Sequence, residues 1–197
     1  MSPSERATVL VVDDEPDVAD AYAAQLRGEY EVLTAHSGEA GLAKLDPDVD
    51  VVLLDRRMPD IRGADVLDEI RDRDLEARVA MVTAVDPDFE IIDMPFDDYV
   101  VKPVSRSELI DTIERLLNCA AYEERFREFY ALASKHAALS ANKPTAELRS
   151  SEEFQDLEER LEQLRTELDD IAERFDGEDY AAVLREVDGR ALSPLDE

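Results

Sequence analysis

Between Thr8 and Asn118 five short apolar runs alternate with segments of helical periodicity, and this alternation leaves very few folds open to the chain. Thr8 to Val12, Val51 to Leu54 and Val79 to Val82 are near-continuously hydrophobic, and Tyr30 to Ala35 and Tyr99 to Val101 complete the set. Strands that read this way are buried on both faces, as in a parallel sheet covered by helices. The helices between them carry local start and stop signals. Pro16 sits at the first turn of a helix predicted to run to about Arg27, where its missing N–H does no harm. Ser37 caps a second helix, which Asp46-Pro47 stops near Leu45. A third runs from about Ala64 to Arg73 behind Gly63, and Ser105 or Ser107 opens the helix carrying Leu109, Ile113 and Leu116. The first part of the chain therefore reads as α/β, a doubly wound five-stranded parallel sheet. Such sheets bind ligands beyond the carboxyl ends of their strands.

Four features fall at those ends: Asp13-Asp14 after the first strand, Asp55 after the third, Thr83 after the fourth and Lys102-Pro103 after the fifth. Three carboxylates brought to one point cannot all stay ionised without a cation, and oxygen-only ligands suit a hard divalent ion such as Mg²⁺. Beside such an ion Asp55 is suited to attack a phosphoryl group, with Thr83 as a neutral hydrogen-bond donor and Lys102 as a fixed positive charge. Each residue alone is unremarkable in a chain with 50 Asp and Glu. Their placement at four strand ends is hard to obtain from composition.

The motifs Val11-Val12-Asp13-Asp14-Glu15-Pro16, Leu53-Leu54-Asp55-Arg56-Arg57-Met58-Pro59 with Gly63, and Asp98-Tyr99-Val100-Val101-Lys102-Pro103 resemble those of the response regulator receiver family. The resemblance covers residues 8–118 and implies a flavodoxin-like receiver fold. It implies that Asp55 is the phosphoacceptor, served by a sensor histidine kinase. By position, Asp14, Asp55 and the main-chain carbonyl of Arg57 would bind Mg²⁺ directly and Asp13 through water, while Thr83 and Tyr99 would form a coupled switch pair. One departure stands out. The interval from Thr83 to Tyr99 is short and contains Pro87 and Pro95, which predicts a fourth helix cut down to between Asp88 and Asp93. That change spares the active site but alters a face on which receivers commonly dimerise.

Beyond Asn118 no strand pattern remains. Tyr122, Phe126, Phe129 and Ala133 extend a helical stripe, so the last receiver helix is expected to run on as one rod to the break at Asn142-Lys143-Pro144. Phe154, Leu157, Leu161, Leu164, Leu168, Ile171 and Phe175 then alternate spacings of three and four. Ser150 and Glu153 have capping-box spacing at the start of this second helix, Gly177 is a stop signal, and Tyr180 to Val187 reads as a last short helix. The stripe fits an all-α helical hairpin or a coiled coil. A parallel coil would set Arg160 against Arg165, so the hairpin is preferred, with Tyr122 to Ala133 antiparallel to Phe154 to Phe175. Ala133-Ser134-Lys135 and the Glu147 to Phe175 segment resemble the HalX domain of haloarchaeal response regulators. The expected division is a receiver over 1–118 and a helical output domain over 119–197.

The net charge of −28 narrows function further. Acidic residues are interleaved with apolar positions throughout, so they coat a folded surface and do not form a disordered tail. Such a surface fits a halophile's cytoplasm, where a Debye length of ~3 Å in molar salt screens self-repulsion. No cluster of Lys and Arg offers a nucleic-acid footprint, and DNA is disfavoured as a partner. Cys119 is the only cysteine, which excludes a disulfide framework. No stretch approaches about 18 apolar residues and the N-terminus lacks an apolar signal core, so a soluble cytoplasmic protein without membrane contact is expected. The function expected is a non-enzymatic two-component response regulator that relays phosphorylation of Asp55 through its helical domain to a protein partner, as a monomer or a homodimer. The alternative is a phosphorylation-controlled DNA-binding transcriptional regulator. A phosphatase is disfavoured because no second general acid or substrate pocket is visible, His36 lies at a strand end without an evident partner, and His136 sits in the tail.

Overall fold

A computed structural model describes residues 6–73 and 75–175; the Gly177 stop and the Tyr180 to Val187 helix lie outside the described residues. Strands β1 (Thr8–Val12), β2 (Glu31–Ala35), β3 (Val51–Leu54), β4 (Arg78–Thr83) and β5 (Asp98–Val101) form one parallel sheet in the order β2-β1-β3-β4-β5. Helices α1 (Pro16–Leu26), α2 (Gly38–Lys44) and α3 (Gly63–Asp72) make the crossovers, and α4 (Arg106–Asn142) follows β5. The chain steps one way from β1 to β2 and the other way from β1 to β3, which opens a crevice at the carboxyl ends of β1 and β3.

The continuous apolar runs are explained by two cores, one on each face of the sheet. Leu10, Val12, Val52, Leu54, Val79 and Met81 face one side and pack with Val66, Leu67 and Ile70 of α3. Val9, Val11, Val51, Leu53, Ala80 and Val82 face the other, with Ala19, Tyr22 and Leu26 of α1 and Leu109, Ile113 and Leu116 of α4. Each large aliphatic side chain buried in this way contributes about 1.5–3 kcal/mol relative to exposure.

Local signals behave largely as expected. The Ser37 hydroxyl accepts the Ala40 N–H at 3.1 Å and starts α2. Of the two candidate serines before α4, Ser105 forms a reciprocal box: its N–H donates to the Glu108 carboxylate at 2.8 Å and its Oγ accepts the Glu108 N–H at 3.3 Å. In place of a fourth crossover helix there is only a 3-10 turn, Phe89–Asp93, capped by the Asp88 carboxylate on the Glu90 N–H. The flanking prolines Pro87 and Pro95 keep it from extending.

The contact pattern divides the chain between Leu117 and Asn118. Helix α4 is a single element of 37 residues that runs through this boundary, and Pro144 follows its end. In the second unit α5 (Thr145–Ser150) and α6 (Glu152–Ala172) complete a helical hairpin. Tyr122 and Phe129 of α4 pack with Leu164, Leu168, Ile171 and Ala172 of α6 and with Phe175. His136 pairs with Glu158, Glu128 with Arg160, and Arg125 with Glu167, so α4 and α6 run antiparallel. One detail differs from the sequence reading. Ser151, not Ser150, caps α6: Ser151 is extended and accepts the Phe154 N–H, whereas Ser150 belongs to α5 and donates to the Glu147 carbonyl. Two adjacent serines satisfy the capping pattern equally, and only the backbone break between α5 and α6 selects one. Among the described residues no helix is long and apolar enough to cross a membrane.

Candidate functional site

Asp13, Asp55 and Lys102 each stand one step past a strand and are held there by the sheet. The Asp13 N–H donates to the Ala35 carbonyl at 3.1 Å, the Asp55 N–H to the Val12 carbonyl at 2.9 Å and the Lys102 N–H to the Thr83 carbonyl at 2.8 Å. The register that aligns Val12 with Leu54 and Thr83 with Val101 therefore carries the following side chains to one end of the sheet. Asp13, Asp14 and Asp55 each offer one carboxylate oxygen, and these atoms lie within 4.8 Å of one another. Asp13 and Asp55 are buried, and Asp14 is half-buried.

Lys102 closes the cluster. Its Nζ donates to Asp13 Oδ2 at 2.6 Å and lies 3.4 Å from Asp55 Oδ2. Burial alone would lower the pKa of this ammonium, but the hydrogen bond to Asp13 and the charges of Asp55 and Asp13 outweigh it, and the pKa is raised above the ordinary lysine range. One ammonium against three carboxylates leaves an excess of negative charge. Asp55 Oδ1 is buried and has no hydrogen-bond partner, a position that usually costs about 1–3 kcal/mol. An all-oxygen donor set with one unsatisfied buried oxygen fits a hard divalent cation. Arg57 stands in the loop between β3 and α3 with its side chain exposed.

That loop is closed by a close backbone approach. The Gly63 N–H donates to the Arg56 carbonyl at 3.0 Å, and a Cβ on Gly63 would meet the Asp55 carbonyl oxygen at 2.2 Å. Thr83 is fully buried at the end of β4, and its Oγ1 lies 3.4 Å from the Val85 amide. Tyr99 lies on β5 in register with Met81, half-buried. Its hydroxyl donates to the Val85 carbonyl at 2.9 Å, and its ring packs against Phe96 with centroids 5.5 Å apart. The ring also packs against the buried core on one face of the sheet.

Two residues near the site were not singled out from sequence. Asp60, in the same loop, accepts the N–H groups of Gly38 at 3.3 Å and Glu39 at 3.0 Å, tying the loop to the start of α2. These amides, Glu39 first, hold its carboxyl below the usual aspartate range. Arg56 pairs with Glu90 at 3.1 Å and with Asp88 at 3.5 Å. Neither has a local sequence signal, because every partner is distant in the chain.

Residues 9–114 match the response regulator receiver domain and residues 118–184 match the HalX domain. A candidate transcriptional regulator of Haloferax volcanii is 53% identical over 170 residues, covering 84% of this chain and 29% of that protein. The response regulator SaeR of Staphylococcus aureus is 34% identical over 113 residues, covering 55% of this chain and 50% of SaeR. The chain thus spans half the length of SaeR and less than a third of the Haloferax protein. Among solved structures, a CheY-like receiver domain protein from Methanospirillum hungatei is 28% identical with a TM-score of 0.56, covering 59% of this chain and 98% of that one. The response regulator TrrA of Thermotoga maritima, solved in complex with Mg²⁺-BeF, is 35% identical with a TM-score of 0.50, covering 56% of this chain and 99% of that one. The chain belongs to the response regulator receiver family, with a HalX domain following the receiver.

Proposed function

We propose that this chain receives a phosphoryl group on Asp55 from a sensor histidine kinase and passes the change through α4 to its helical unit, which signals to a protein partner. The observation that carries this reading is the convergence of three carboxylates within 4.8 Å, with the Lys102 ammonium on two of them. An Asp55 carboxylate oxygen attacks the phosphorus of the phosphohistidine; the new O–P bond forms as the N–P bond breaks, and the imidazole leaves with a proton from solvent. Asp13, Asp14, Asp55 and the Arg57 carbonyl would hold Mg²⁺, which neutralises charge on the transferring oxygens. Lys102 is already placed on Asp55 and supplies a fixed cation to one phosphoryl oxygen. Thr83 donates its hydroxyl to another.

The product carries roughly −1.5 to −2 charges and three acceptor oxygens where one carboxylate stood. Thr83 moves toward it, and the residues that depend on Thr83 and Val85 follow. Tyr99 is among them, because its hydroxyl is bonded to the Val85 carbonyl. The receiver unit to Leu117 thus acts as the input domain and the unit from Asn118 as the output domain.

Phosphoryl incorporation from acetyl phosphate in molar KCl tests this reading. Wild type is expected to take up one phosphoryl group in Mg²⁺ and none in chelator, and Asp55→Ala none in either. Equal incorporation in the variant would reject it. The description of the Haloferax relative favours a second reading, a transcriptional regulator. Under that reading the full phosphorylated chain is retained on DNA in high salt; under ours it is not.

A further inference from the structure

Arg56 follows Asp55 immediately, yet its side chain turns away from the carboxylate cluster, toward the segment that replaces a fourth helix. Its side chain, 14% exposed, pairs through the guanidinium with Glu90 Oε2 at 3.1 Å and Asp88 Oδ2 at 3.5 Å. Tyr99 grips the same segment from β5, through its hydroxyl on the Val85 carbonyl at 2.9 Å. One side chain from the loop after β3 and one from β5 thus converge on residues 85–90.

We propose that Arg56 is a positioning residue for the switch, holding Tyr99 and the 85–90 segment in the sheet-facing arrangement before any phosphoryl group arrives. This rests on the reading of Tyr99 as a switch residue. Phosphorylation and Arg56 then favour the same state, so Arg56 sets how much of the receiver already occupies it. A state that is partly populated in advance lowers the free energy that phosphorylation must supply, and the loss of Arg56 moves the population the other way.

The shortness of the 3-10 turn makes such a clasp necessary. A full helix would be fixed by its own ladder and by an apolar face, whereas Phe89–Asp93 is five residues long and leaves Phe89 and Ile92 exposed. Its position depends on contacts from outside, and Arg56 provides two of them. Lysine can retain the charge at this position but not the planar fork that reaches two carboxylates together.

The test labels the full chain with 3-fluorotyrosine and follows the Tyr99 ¹⁹F resonance, identified by its loss in Tyr99→Phe. Without any phosphodonor, Arg56→Met is expected to move this resonance toward the position of a solvent-exposed tyrosine, and Arg56→Lys to move it part of the way. Addition of beryllofluoride and Mg²⁺ should return Arg56→Met toward the wild-type position. Phosphorylation of Arg56→Met by acetyl phosphate should be about fivefold slower, the size expected from losing about 1 kcal/mol of preference for the reactive state. A Tyr99 resonance unchanged in Arg56→Met, with a phosphorylation rate within twofold of wild type, overturns the proposal. If wild type takes no phosphate on Asp55, the functional reading fails, and the donor-free resonance still decides the role of Arg56. Should Arg56→Met not fold, the double substitution Asp88→Asn with Glu90→Gln alters exposed groups only. A smaller shift of the same sign supports the clasp, and no shift overturns it.

Discussion

Replacing Gly63 with alanine should destabilise the receiver unit by about 3 kcal/mol, because the new methyl meets backbone on every near side. A Cβ there would lie 2.2 Å from the Asp55 carbonyl oxygen, 2.8 Å from Arg56 Cα and 3.0 Å from the Asp55 carbonyl carbon. Ordinary contact begins at 3.4 Å, so the Asp55 carbonyl must retreat by about 1.2 Å. Overpacking typically costs about 1–3 kcal/mol when side chains can adjust, and here no flexible side chain is available to yield. The displaced carbonyl belongs to the proposed phosphoacceptor. An error of about 1 Å in a reacting group can cost on the order of 100-fold in rate. Urea unfolding followed by circular dichroism in molar KCl measures the first effect, and phosphorylation by acetyl phosphate the second. Gly28→Ala is the control: nothing lies within 4 Å of its Cβ position, and a tolerated Gly to Ala change stabilises by about 0.4–1 kcal/mol. If Gly63→Ala unfolds within about 0.5 kcal/mol of wild type and is phosphorylated at the wild-type rate, the loop does not position Asp55 as argued here.

Three further outcomes are expected. Lys102→Met removes the ammonium held on Asp13 and Asp55, and an uncompensated buried charge costs about 3–5 kcal/mol. Its melting temperature should fall steeply in chelator and recover in part with Mg²⁺; melting that ignores Mg²⁺ would count against a cation site. In the hairpin, Leu164→Ala removes a fully buried side chain and should cost about 3 kcal/mol at any KCl concentration. Arg160→Ala loses partly exposed pairs with Glu128 and Glu167 and should cost much less than Leu164→Ala, and less still in molar salt. The reverse ranking by urea unfolding would show that ion pairs, not packing, hold the hairpin. Finally, burial, with Glu114 and Glu29 adding to it, pushes the Tyr30 phenol up to about 12. Because this folded-state value lies above the unfolded value near ~10, the resulting stability is complete below that pH and is lost as pH rises toward the folded value. The loss amounts to about 2–3 kcal/mol. Tyr30→Phe should flatten the stability profile across that window, and identical profiles would refute the assignment.

The parts of this structure that were legible in the sequence are those set by local rules. Strands buried on both faces had to be continuous apolar runs, so Asp13, Asp55, Thr83 and Lys102 could be placed at strand ends before any contact was known. Pro87 and Pro95 marked the short fourth connection, and its 3-10 turn falls inside the predicted interval. Alternating three and four spacing located α6, and the opposition of Arg160 and Arg165 in a parallel coil pointed to the antiparallel hairpin that the α4 and α6 contacts form. What could not be read depends on long-range partners. Arg56 reaches Asp88 and Glu90, and Asp60 reaches Gly38 and Glu39, across more than 20 residues of chain in each case. Charge alone could not select these pairs in a chain with 50 acidic residues. The inward setting of Tyr99 was likewise not readable, because it depends on where the Val85 carbonyl points.

The most direct test asks where the phosphoryl group is attached. After incubation with acetyl phosphate and Mg²⁺, borohydride reduction converts an acyl phosphate on aspartate to homoserine, which peptide mass mapping locates. Homoserine is expected at position 55 and nowhere else, with none formed in Asp55→Ala. Homoserine at Asp13 or Asp14 in the wild-type chain, or a phosphoryl group carried by His36 or His136, would contradict it.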